Sequence, residues 1–148
     1  MNKSIKNYDG DIILMKRLVE FFPDYWEWDN SGKIYLNDIN NALQKSLPEI
    51  NDFYGDEFLY PVVKQRTRGW HIGRILYYIK HNAEIKDIEI DNEYSGSTIF
   101  AIPIIVDGWH RFAAAYYLYK QEKLDKIHCR YGGRVDLLEY LQGKREVI

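Results

Sequence analysis

The chain is poor in the residues that build cross-linked or metal-clamped folds. It has one cysteine, Cys129, so an internal disulfide framework and a cysteine-rich zinc site are both excluded. Its four histidines, His71, His81, His110 and His128, show no metal-ligand spacing, and no metal site is expected. Four prolines are too few for a proline-rich linker. The longest uncharged apolar run, Ile99 to Val106, falls far short of the roughly 20 residues that cross a bilayer. No basic segment leads into an apolar stretch at the N-terminus, so no signal peptide is expected and the cytoplasm is the expected compartment. Walker A, serine- or cysteine-triad and Rossmann glycine signatures are missing.

What is present describes a globular protein. Its 148 residues are 46% hydrophobic, 16% aromatic and 28% charged. That length buries roughly two thirds of the unfolded surface without staples. The net charge of −2 argues against a globally basic nucleic-acid binder. The charge is unevenly spread. Residues 1–63 carry six Lys/Arg against eleven Asp/Glu, a net of −5, whereas residues 64–86 carry six against one, a net of +5.

Apolar spacing predicts helices over Asp11–Phe22, stopped by Pro23, and over Leu36–Leu47, with Asn37 or Asp38 as N-cap. Residues Asn51 to Pro61 read as irregular. The stripe Ile72, Ile75, Leu76, Ile79 predicts a helix over Trp70–His81. Ile85–Ile90 alternates as a strand with one buried face, and Asp91–Ser97 reads as a hairpin loop. Thr98–Val106 reads as a central strand buried on both faces, although Pro103 asks for an edge or a bulge and moves its proper start to Ile104. A helix from Trp109 or His110 to Gln121, a strand over Lys126–Tyr131, a turn at Gly132-Gly133 and a helix over Arg134–Gln142 complete the chain. The expected architecture is α+β: a small mixed β-sheet with flanking helices over residues 61–148, preceded by a helical, acidic and aromatic extension over residues 1–60.

The segment that carries chemistry is Ile104-Ile-Val-Asp-Gly-Trp-His-Arg-Phe-Ala-Ala-Ala115. A strand enters a glycine turn and leaves as a helix, whose free N–H groups and dipole attract an anion. First turns favour acids, yet His110 and Arg111 sit in this one. Two readings follow. A bound phosphate satisfies the N–H groups and both cations, with Gly108 letting it reach the backbone. Alternatively, Asp107 caps the helix and pairs with Arg111.

These residues resemble the ParB/sulfiredoxin superfamily, whose signature takes the forms Gly-x-x-Arg-x-x-Ala and Asp-Gly-x-His-Arg. Gly108, Arg111 and Ala114 match the first form, and Asp107, Gly108, His110 and Arg111 match the second. The resemblance is specific over ten residues and follows the order of elements over residues 60–143. It implies a site for nucleotide phosphates, ATP or CTP with Mg²⁺, and a nucleotide-hydrolysing or phosphoryl-transferring activity. Asp107, His110 and Arg111 would then be the catalytic set. Gly108, Trp109, His110 and Arg111 would bind the nucleotide, with Arg74 or Arg68 on the opposite wall and Arg66 beside them. Two departures narrow this. Trp109 stands where sulfiredoxin carries its reactive cysteine, and Cys129 reads as a core residue. No counterpart of the helix-turn-helix and dimerisation domains of partition proteins follows the motif, so a segregation role is not expected.

The competing reading is a non-enzymatic accessory protein, of the kind phages and mobile elements carry. It would dock a protein partner through Asp24, Trp26, Glu27, Trp28 and Asp29, with aromatics such as Phe53, Tyr54, Phe58 and Tyr60 in the core or on that surface. A nuclease working through residues 64–86 is a third reading, which the net charge disfavours.

Overall fold

A computed structural model describes residues 10–29, 31–51, 66–94 and 98–147. The expected irregular stretch from Asn51 to Pro61, Phe53, Tyr54, Phe58 and Tyr60 within it, and the tip of the 91–97 loop fall almost wholly outside these residues. Chain order is β1 (Asp11–Leu14), a helical turn α1 (Met15–Leu18) continued by a 3-10 turn (Val19–Phe21), β2 (Tyr25–Trp28), β3 (Gly32–Tyr35) and α2 (Leu36–Gln44). Then come α3 (Arg68–Lys80), a 3-10 turn (Asn82–Glu84), β4 (Ile88–Tyr94), β5 (Thr98–Asp107), α4 (Trp109–Lys120), β6 (Lys126–Tyr131) and α5 (Val135–Leu141). The main sheet has the order β1-β6-β4-β5, and β2 and β3 form a separate hairpin. β4 runs parallel to β6, while the β1–β6 and β4–β5 pairs are antiparallel. The class is α+β with a mixed sheet.

The expected helix over Asp11–Phe22 is divided. Ile12 and Ile13 pair with His128 and Ile127 of β6. β-branched side chains suit a pleated strand, and this pairing satisfies backbone groups that a lone helix end leaves open. The helical pattern survives only from Met15, whose N–H bonds the Asp125 carbonyl at 2.8 Å. Residues 11–44 are therefore not a helical appendage to the rest. Met15, Leu18, Trp26, Ile34 and Ile39 share one core with Ile75, Leu76, Phe112 and Leu137.

Two further readings change. β5 is an edge strand, not a central one, and Ile102 and Val106 are 44% and 50% exposed. Pro103, lacking an N–H, fits an edge. β4 starts at Ile88 instead of Ile85, because Asp87 takes a left-handed φ of 57° that interrupts extended backbone. α2 keeps its expected start, but Asp38 caps from inside: its Oδ2 accepts the Tyr35 N–H at 2.8 Å.

This frame sets the site. α3 packs along α4, and the hairpin lies beside the N-terminal ends of both helices, as the contacts described next establish.

Candidate functional site

The two helix starts are built differently. At α3, the Thr67 hydroxyl accepts the Trp70 N–H at 3.3 Å. Arg68, the first residue of that helix, donates to the carbonyls of Ser31 at 2.9 Å and Lys33 at 2.8 Å and lies 3.1 Å from the Asp38 carboxylate. Arg68 thus ties α3 to the hairpin and to α2, and does not face the β5–α4 turn.

At α4, Gly108 takes φ 97° and ψ 30°, the left-handed region that glycine enters without strain. Its first turn holds no acid, and among the described residues no side chain caps the N–H groups of Trp109, His110 and Arg111. The Arg111 guanidinium folds back over the glycine: a Cβ on Gly108 would lie 3.0–3.2 Å from it. Arg111 donates to the carbonyls of Lys86 at 2.7 Å and Asp87 at 3.3 Å, and lies 3.5 Å from the Asp107 carboxylate. The capping reading is met only in part. Asp107 pairs with Arg111, at long range and 62% exposed, but it does not cap the helix.

His110 does not point outward as a counter-charge. Its Nε2 lies 2.9 Å from Nδ1 of His71, in the first turns of α3. Trp28 of the hairpin lies flat across both imidazoles, at 4.6 Å and 8° from His71 and 4.5 Å and 7° from His110. Trp70 meets both rings edge-on, and the Arg66 guanidinium lies 4.7 Å over Trp70. A hydrogen bond between two imidazole nitrogens needs a proton on one and a lone pair on the other.

Burial, reinforced by Arg66, lowers His71 to about 4. Burial lowers His110 to about 3, with further depression from His71, Arg74, Arg66 and Arg111. Both rings are therefore neutral at pH 7. Two positive helix ends meeting at this pair act in the same direction. Arg74, expected on the opposite wall, donates to the Ile50 carbonyl at 2.9 Å and the Tyr78 hydroxyl at 3.0 Å.

The acidic aromatic segment becomes strand β2, and pleating sorts its side chains. Trp26 is buried at 3% exposure against Tyr116, while Asp24, Glu27 and Asp29 are exposed. Trp28 is spent on the histidines. Cys129 is buried, and its thiol is pushed up to about 12 by desolvation and by Asp11, so it packs as a core residue. No group of three or more His, Cys, Asp or Glu that could hold a metal occurs among the described residues. None of their helices is long and apolar enough to cross a membrane.

The structure brings together Gly108, Trp109, His110, Arg111 and Trp28, with Arg74 within electrostatic reach, and sets Arg68 apart. The sequence reading missed His71 and Trp70 as members of the site. His71 lies 39 residues from His110, and no spacing rule joins two single residues across that distance. Compared with protein-family models, with curated proteins and with solved structures, the chain matches none of them.

Proposed function

We propose that this protein binds the phosphates of a nucleotide at the turn between β5 and α4. One observation carries the reading. The first turn of α4 has no side-chain cap among the described residues and no acid, and the Arg111 guanidinium lies over its N-cap glycine, 3.0–3.2 Å from where a Cβ on Gly108 would stand. Uncapped N–H groups in a positive field are the conditions under which a helix start holds an anion. The resemblance to ParB/sulfiredoxin proteins points the same way.

The parts then take specific roles. The amides of Trp109, His110 and Arg111 hold the phosphate oxygens. Arg111 supplies charge at the cradle while holding the 86–87 carbonyls, and Arg66 and Arg74 supply it from α3 and the residues just before it. His110 serves as a neutral ring that fixes Trp28 and not as a counter-ion. ATP and CTP are the proposed ligands. Mg²⁺ would be carried chiefly by their phosphates, with Asp107 as the adjacent carboxylate. In hydrolysis or phosphoryl transfer, Asp107 would be the base, as the carboxylate nearest the turn.

Isothermal titration with ATP, CTP and inorganic triphosphate, each with and without Mg²⁺, tests this. Binding in the micromolar range is expected, weakened about tenfold by Arg66→Gln/Arg74→Gln in a chain that remains folded by circular dichroism; a tenfold loss corresponds to about 1.4 kcal/mol. No binding at millimolar ligand, or no effect of the double substitution, overturns the reading.

A further inference from the structure

A groove of about 370 Å³ lies between β2 and the first residue of α4. Phe22, Tyr25, Trp26, Trp28 and Trp109 line it, and among the described residues Glu27 is its one charged lining residue. Two features bear on what would fill it. Aromatic walls in a volume of this size suit a small flat ligand better than a chain segment. Trp109 belongs to two places at once, because its N–H opens the uncapped turn while its indole lines the groove.

We infer that this groove holds the flat ring of the nucleotide, and that the ring is one carrying an exocyclic amine. The inference rests on the phosphate reading and extends it to the other end of the ligand. The ring stacks among Trp28, Trp109 and Tyr25. The Glu27 carboxylate accepts from the exocyclic amine. Adenine, cytosine and guanine carry that amine and uracil does not, so Glu27 gives the groove a reason to discriminate. The ligand then runs from groove to turn past the one residue that serves both.

Four ligands separate the two ends: ATP, UTP, inorganic triphosphate and adenosine, titrated into the full chain by calorimetry and by tryptophan fluorescence. ATP is expected to bind at least tenfold tighter than triphosphate and several-fold tighter than UTP, with quenching of tryptophan emission. Tyr25→Ala is expected to bring ATP down towards the triphosphate affinity while leaving triphosphate itself unchanged. The isosteric Glu27→Gln is expected to remove the preference for ATP over UTP. Triphosphate binding as tightly as ATP would overturn the groove assignment while leaving the phosphate site standing. Adenosine quenching without any triphosphate binding would support the groove and overturn the phosphate reading. UTP matching ATP in the unaltered chain would overturn the role given to Glu27.

Discussion

The starts of α3 and α4 carry similar residues and differ in how their first N–H groups are met. Each has an arginine and a histidine in its first turns with a tryptophan alongside. At α3 the cap is filled by Thr67, and Arg68 is consumed by two carbonyls and Asp38. At α4 no side chain among the described residues caps the helix, and Arg111, held like Arg68 by two carbonyls and a carboxylate, lies against the turn itself. The first end is closed by the protein and serves the fold. The second has no side-chain cap among the described residues, the state in which a helix start attracts an anion. Residue type alone does not separate a structural helix start from a binding one; what separates them is whether the orphan N–H groups are already satisfied.

The largest expected effect concerns the histidine pair that joins the two ends. Both rings titrate near 6.5 when unfolded but at about 4 and about 3 when folded. The unfolded chain therefore binds protons that the fold refuses. Stability is at its full value above pH 6.5 and falls as pH drops from there toward 4, by up to about 1.4 kcal/mol per pH unit for each histidine. Urea unfolding at pH 7, 6 and 5 measures this slope. His71→Gln/His110→Gln should flatten it, and an unaltered slope in that variant would place the acid sensitivity elsewhere.

Breaking the closed end comes next. Arg68→Ala leaves the carbonyls of Ser31 and Lys33 without their donor and should cost about 1–2 kcal/mol. Triphosphate affinity should not change. Thr67→Ala should cost about 1 kcal/mol through the lost cap, again without touching affinity. Denaturant midpoints and calorimetry on the same samples check both, and a parallel loss of binding would merge two ends that are here kept apart.

The smallest effect on stability is expected at the open end. Asp107 is mostly exposed and 3.5 Å from Arg111, so Asp107→Asn should move stability by less than about 0.5 kcal/mol. It should tighten the binding of triphosphate without Mg²⁺, because it removes a negative charge beside the cradle. Weaker binding in this variant would show that the carboxylate takes part in holding the ligand.

Much of the second half was legible because its signals are local. The stripe of Ile72, Ile75 and Leu76, the alternation of Lys126–Tyr131 and the glycine turn at 108 each specify an element within a few residues. The first third was misread where distant pairing decides. Ile12 and Ile13 fit a helix on spacing, yet an available edge of β6 draws them into a strand. β5 looked central because its side chains are apolar, and only Pro103 hinted at the edge. In the site, Gly108 and the turn were legible. The inward turn of His110 was not, because it depends on His71 and Trp28, which reach it from two other elements.

The central claim is that phosphate binds the open helix start and not the closed one. Amide chemical-shift mapping of the ¹⁵N-labelled chain with inorganic triphosphate tests it most directly. The account expects the largest shifts at the backbone N–H groups of Trp109, His110 and Arg111, with those of Arg68 to His71 moving little. Shifts centred on residues 68–71, or no shifts at 109–111 under saturating triphosphate, would contradict it.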